Sequence, residues 1–447
     1  MGARSVTGAA VSAAGRERRS LGASLRAGVA VVLPGERLLR TGHLLAVSSL
    51  VNSCFGSLFW LFATHWYDER TVGLSYSALS ASMLLTGIGQ LNLHDFLVRF
   101  VPTTGRRTRR LVLTCYAVST SFSLLVAAVF LALVPVVTPG LDFLLTPVAG
   151  GCFAVATAGY AIFVLQDGAL TAVGRPGWVV AENLIFACGK ILLLALGAAL
   201  ALFSGILISW AGALLIALVV ANTVLLRRGI PQHERNTPAT PPSPRMLGYA
   251  ATDWLGSLFR LAAYTLVPLI VLDTLGAEQS AYYSLAWSIA YVPYLLALNM
   301  GTSLITESVR RPERLVDNGL RVLRHSGLML AGVTAVLAAA APQILSLFGA
   351  SYSAHGTTLL RLLAVSALPN LLVSLAIDVS RARRRLRWAV GLQIATCGLV
   401  LGLTVVLLPR FGVTGAGIAW LAAQCLIAVF LLACRSRWLV PATARSS

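Results

Sequence analysis

Four ionisable side chains stand inside long apolar runs: Glu182 and Lys190 in one, Asp253 and Arg260 in another. A charge at the middle of a bilayer costs at least about 2.5–3.5 kcal/mol on insertion scales, so each needs a partner or a wet path. Asp253 and Arg260 are seven residues apart, about two helical turns along one stripe, too far for a direct pair and well placed to face one cavity. Glu182 and Lys190, eight apart, lie on adjacent stripes. Two readings are open. The four either form interhelical ion pairs or snorkel, fixing how helices pack, or line a water-filled cavity. Since one run from each half of the chain carries both signs, the polar path is favoured. In it Arg260 and Lys190 would attract a phosphate or diphosphate, Arg through a bidentate fork and Lys as a point charge.

Amides form a second class. Asn52, Asn92 and Asn299, with Gln90, Asn183, Asn222 and Gln424, sit in apolar surroundings, where they bond sugar hydroxyls or, as the blander role, neighbouring helices. Asn92 and Asn299 share an internal repeat. Tyr76-Ser77-Ala78-Leu79 and Leu91-Asn92 are echoed by Tyr283-Ser284-Leu285-Ala286 and Leu298-Asn299, both at an offset of 207 residues. Such an echo between hydropathically alike segments indicates duplication, the usual origin of transporter halves.

Other chemistries find little support. The seven cysteines lie in or at the ends of apolar runs without a CxxC pair, and the six histidines are scattered, so neither a metal site nor any cofactor is expected. No Walker-type phosphate loop is present, which argues against ATP hydrolysis. A membrane glycosyltransferase or ligase would need a sizeable outer loop with acid/base groups. The candidate loop Thr64–Thr71, THWYDERT, is short, and its His65, Asp68 and Glu69 read as a solvated turn.

The elements that must position these residues follow from composition. With 57% hydrophobic and only 11% charged residues and a mean hydropathy of +0.80, the chain is an all-α polytopic membrane protein. Twelve spans are expected, near 43–63, 72–93, 111–137, 143–166, 177–203, 205–226, 248–272, 280–303, 326–348, 356–378, 388–408 and 412–434. All but one of the 35 basic residues are arginine. With the amino terminus inside they crowd the inner loops, as in Arg99, Arg106, Arg107, Arg109 and Arg110 and the run Arg381–Arg387, placing both termini in the cytoplasm of a cell-membrane protein. The net charge of +19 therefore reads as topology and as contact with anionic lipid rather than nucleic acid. Arg99, Arg106 and Arg107 are also candidates for gripping a lipid diphosphate at the cytoplasmic entrance.

Five segments result: a disordered basic arm over 1–41, an N-lobe of spans 1–6 over 42–226, a Pro-rich extended linker over 227–247, a C-lobe of spans 7–12 over 248–434, and a tail over 435–447. Six spans per half make the repeats parallel, with cargo expected between them.

Three stretches carry a family likeness: VGLSYSALSASMLL running into LVRFVP over 72–102, the basic loop leading to LLPRFGVTGAGIAWLAAQ over 381–424, and the module opened by Gly174-Arg175-Pro176-Gly177. In these the chain resembles the polysaccharide flippases of the multidrug/oligosaccharidyl-lipid/polysaccharide exporter superfamily. The resemblance implies two six-helix lobes opening alternately to either side, acting as a monomer. It implies as cargo an oligosaccharide on polyprenyl diphosphate, and as partners the polysaccharide polymerase and glycosyltransferases of the same route. Multidrug, organic-cation exporters coupled to Na⁺ or H⁺ share the architecture and are the alternative. They often carry an early acidic residue for coupling, and the first span, His43–Ala63, has none; Glu182 or Asp253 would have to serve.

Overall fold

A computed structural model describes residues 54–202, 204–236, 245–310, 315–383 and 385–434. The arm 1–41, the tail 435–447 and Asn52 lie outside these residues, as do the side chains of Asp253 and Asn299. The described chain is helical, because no water reaches the hydrocarbon to satisfy backbone polar groups left unpaired.

The first half comprises α1 (54–66), α2 (Glu69–Gly89), α3 (Leu93–Thr104), α4 (Thr108–Val137), α5 (Pro147–Ala172), α6 (Pro176–Ala199), α7 (Gly205–Val224) and the short α8 (Ile230–Asn236). The second comprises α9 (Arg245–Leu275), α10 (Ala277–Arg310), α11 (Leu315–Ala339), the short α12 (Ala341–Ser346), α13 (Ala350–Ala382), α14 (Leu386–Phe411) and α15 (Val413–Ala433). Nine of these helices are long and apolar enough to cross a membrane, and α1, α10 and α11 complete the twelve spans expected. Large apolar side chains such as Val136, Leu192, Leu215 and Val429 stand exposed on the outer helices, the surface a multi-pass protein offers to lipid.

Local signals set the ends. Pro147 and Pro176 open α5 and α6 at positions whose N–H would have no helical partner, and Thr146 caps the Ala149 N–H at 3.4 Å. The α5–α6 turn closes on Gly174 (φ 78°) with Arg175 N–H donating to Leu170 O at 2.9 Å. The tight α6–α7 hairpin repeats this geometry with Ala201 at φ 52° and Leu202 N–H on Gly197 O at 3.0 Å.

Two expectations need correction. The second span does not run unbroken over 72–93: α2 stops at Gly89, Leu91 (φ 49°) and Asn92 (φ 56°) turn left-handed, and α3 resumes from Leu93. The carbonyls freed at the break are taken by side chains, Gly89 O by the Ser119 hydroxyl at 3.2 Å and Gly87 O by the Trp254 indole N–H at 3.3 Å. The linker is also not extended from its start. A π-turn over Leu225–Gly229 carries α7 directly into α8, whose Pro231 occupies the first turn, where proline is tolerated, while Ile230 is fully buried.

The stretches that echo each other in sequence meet. Helix α2 packs on both α9 and α10, and 72% of its apolar window is buried against 17% for α4 and α6, so it is the central element of the first half. Its small face makes the approach possible. A side chain at Gly73 would run into the backbone of Ala277, and the hydroxyls of Ser77 and Ser280 meet across the seam at 2.9 Å. Ser288 donates to the Tyr76 hydroxyl at 3.1 Å, and beyond the helix end the Gly140 N–H donates to Asp273 Oδ1 at 3.2 Å.

Candidate functional site

Two polar sites lie inside this apolar frame, one in each half. In the first half, α5 and α6 bring together Gln166, Asp167, Glu182 and Asn183, with Tyr116 from α4 and Asn222 from α7 close by. The helices put these side chains inward because their opposite faces are the apolar ones that meet lipid. Asn222 Nδ2 donates to Gln166 Oε1 at 2.6 Å, and Asn183 Nδ2 is returned to its own helix at Val179 O, 2.8 Å. Glu182 has no exposed surface. The Gln166 side chain lies beside it, yet neither that amide nitrogen nor either Glu182 oxygen makes a hydrogen bond, and the Asp167 Oδ1 and Tyr116 hydroxyl are equally unsatisfied.

Among the described residues, His94 is the one potentially cationic group acting on these carboxyls, and its Nδ1 is engaged with Val164 O at 2.9 Å. Two carboxyls, Glu182 fully buried and Asp167 half-buried, with the idle amide oxygen of Asn222 nearby and no fixed counter-charge among the described residues, form a site that is neutral only when protonated or cation-filled. No group of three or more His, Cys, Asp or Glu among the described residues forms a cage for a tightly held metal.

In the second half a cavity of about 300 Å³ lies among α9, α10, α13, α14 and α15, with Gln90 of the α2–α3 break at its edge. One wall is aromatic. Trp420 stacks on Trp287 at 4.5 Å and on Tyr264 at 5.6 Å, and Tyr264 meets Tyr291 edge-on at 5.7 Å. The stack is pinned by polar tips, Trp420 Nε1 donating to the Tyr283 hydroxyl at 3.0 Å and the Tyr294 hydroxyl paired with Ser366 at 2.7 Å. The rest of the lining sets the polar Arg260, Asn370, Asp378, Gln393, Thr396 and Gln424 among apolar side chains such as Leu261, Leu298, Val373 and Ile377. Asp378 sits 3.7 Å from Arg381, the residue one turn on.

The structure thus separates the residues that sequence reasoning grouped. Arg260 lines the second-half cavity, and Glu182 lies in the first-half carboxyl cluster. Lys190 joins neither: its Nζ sits 5.0 Å from the Phe59 ring centre and 5.4 Å from that of Phe186. Asn92 supplies the left-handed turn at the α2–α3 break. Arg99, Arg106 and Arg107 are exposed on and just beyond α3. Asn52, Asp253 and Asn299 fall outside the described residues or side chains.

Sequence reasoning missed Asp167 and Asp378. Both sit at the ends of expected spans, 143–166 and 356–378, and the helices that carry them run on to Ala172 and Ala382. The polar pair Gln166-Asp167 at a span end was the available signal. Tyr116, Tyr264, Tyr291 and Trp420 carried no signal apart from ordinary apolar burial.

No protein-family model matches the chain, and no curated protein matches it by sequence. Solved structures do match its fold. The inward-facing conformation of a multidrug resistance MATE family transporter of the MOP superfamily aligns at TM-score 0.63 and 16% identity, covering 88% of this chain and 98% of that one. The MATE multidrug transporter DinF-BH, solved as a complex, gives 0.65 and 14%, covering 90% and 96%. An outward-facing MATE structure gives 0.58 and 15%, covering 90% and 95%. At such identities the likeness concerns architecture, and this chain has the two-lobed MATE-like fold.

Proposed function

We propose that this protein is a secondary exporter that moves an amphipathic cargo through the second-half cavity by alternating access. Protonation or cation binding at Glu182 and Asp167 drives the cycle, and both termini lie in the cytoplasm. The observation that carries the reading is the pair of carboxyls, Glu182 buried and Asp167 half-buried, with no fixed counter-charge among the described residues, in a fold whose solved counterparts include inward- and outward-facing MATE transporters. Such a site changes charge as it fills and empties, so its occupancy biases whichever lobe arrangement lets the ion in or out.

Of the two cargo classes expected from the sequence, the multidrug type fits better. The fold counterparts are multidrug transporters, and the cavity of about 300 Å³ suits a compact molecule that stacks on aromatic rings. The second reading, flipping of a polyprenyl-diphosphate oligosaccharide, draws on Arg260 and on the amide oxygens that could receive sugar hydroxyls. Its partners would be the polymerase and glycosyltransferases that use the flipped lipid.

The deciding experiment is exchange in proteoliposomes with the full chain. A panel of aromatic dyes, cationic and anionic, and a fluorescent polyprenyl-diphosphate oligosaccharide are each followed under imposed Na⁺ or H⁺ gradients. Gradient-dependent dye movement is expected. Leaflet transfer of the lipid-linked sugar with no dye movement would replace the multidrug reading with the flippase one, and no gradient-dependent movement of any cargo would remove the exporter reading.

A further inference from the structure

Arg260 is the one cavity-lining cation among the described residues, and within them it makes no hydrogen bond, ion pair or ring contact; only the charge of its guanidinium is felt, at Tyr264 and Tyr291. Asp378, the one carboxylate of the lining among the described residues, already faces Arg381 at 3.7 Å. That carboxylate is engaged with another arginine, and Arg260 has no carboxylate partner among the described residues. An unpaired guanidinium inside a span is costly unless water or an anion reaches it. A second, independent feature points to a ligand. Gln393 and Gln424 line the same cavity, are 2% and 1% exposed, and each keeps its amide oxygen without a hydrogen-bond donor. For Gln393 the assignment is fixed, because its Nε2 donates to Ala389 O at 3.2 Å.

We infer that the second-half cavity binds an anionic, ring-bearing amphiphile. Arg260 takes its carboxylate or phosphate, the oxygens of Gln393 and Gln424 accept from its hydroxyl or N–H groups, and its ring lies against the Tyr264–Trp420 stack. This deepens the exporter reading by naming the charge of its cargo and rests on it for transport alone. Binding is a property of the cavity whether or not transport follows. Arginine suits the task because its planar fork meets an oxyanion through two parallel hydrogen bonds, a geometry lysine cannot reproduce.

The test compares two probes with one ring and opposite charges, 2-naphthyl phosphate and (2-naphthylmethyl)trimethylammonium, by equilibrium dialysis against the purified full chain without any ion gradient. The phosphate is expected to bind at least about tenfold tighter, Arg260→Gln to erase that gap, and Arg260→Lys to keep part of it. Equal binding of the probes, tighter binding of the ammonium, or a preference that survives Arg260→Gln would overturn the inference. So would inorganic phosphate competing as well as naphthyl phosphate, which would reduce the site to a plain anion hole. If Arg260→Gln does not fold, the parent's charge preference and Arg260→Lys decide. An anion preference in a protein that moves no cargo would sink the exporter reading and leave this one standing.

Discussion

Among single residues, three charged side chains share an apolar setting and differ in what surrounds them. Glu182 is buried without a hydrogen bond beside Asp167, Arg260 faces a cavity unpaired, and Lys190 rests over two rings. These environments predict different losses. Glu182→Gln keeps the shape and removes the titratable charge, so gradient-driven export should fall by roughly tenfold or more, a coupling of about 1.4 kcal/mol, while downhill exchange of cargo persists. Fluxes measured with and without the gradient check this, and unchanged coupling would exclude Glu182. Lys190→Met should instead leave cargo affinity within about twofold, since a cation over Phe59 and Phe186 contributes on the order of 1–2 kcal/mol to local packing and does not reach the cavity. A large affinity loss in dialysis would return Lys190 to the cargo site.

Among the elements, α2 is the one on which the two halves lean, and its break explains a residue that the sequence presented ambiguously. Asn92 follows Leu91 in left-handed backbone, a conformation asparagine and glycine enter readily and β-branched residues resist. Asn92→Gly should therefore keep the turn and lose less stability than Asn92→Val, which should lose about 1–2 kcal/mol, read as an earlier unfolding midpoint. Equal loss in both variants would mean that the amide itself is needed. The helices were legible in the sequence because an apolar run of about twenty residues has few other fates in a bilayer. The echo between 76–79 and 283–286 lies in two helices that meet at the seam, a contact that the sequence did not announce. The ends of helices were not legible either. Asp167 and Asp378 were hidden because α5 and α13 extend past the hydrocarbon length that sets a span estimate, and a left-handed turn at Leu91 leaves no mark in hydropathy. The aromatic cavity wall was invisible because its rings come from α9, α10 and α15, far apart in the chain.

For the whole molecule, alternating access requires that the seam between halves open and close. It is closed here along α2, where Gly73 meets Ala277, Ser77 meets Ser280 and Gly140 is held by Asp273. A bulky residue at Gly73 cannot enter that contact, so Gly73→Leu should hold the lobes apart at this end and reduce export by about an order of magnitude, with the protein still folded. Accessibility of a cysteine placed nearby would report the opening. The most direct measurement is to tie this end shut. With the seven native cysteines replaced by alanine, Gly140→Cys and Asp273→Cys are introduced together, oxidised in proteoliposomes, and transport is followed before and after reduction. Alternating access predicts that the disulfide stops export and that reduction restores it, while cargo still binds the cavity. Export that continues at the same rate through a fully cross-linked protein would contradict the account.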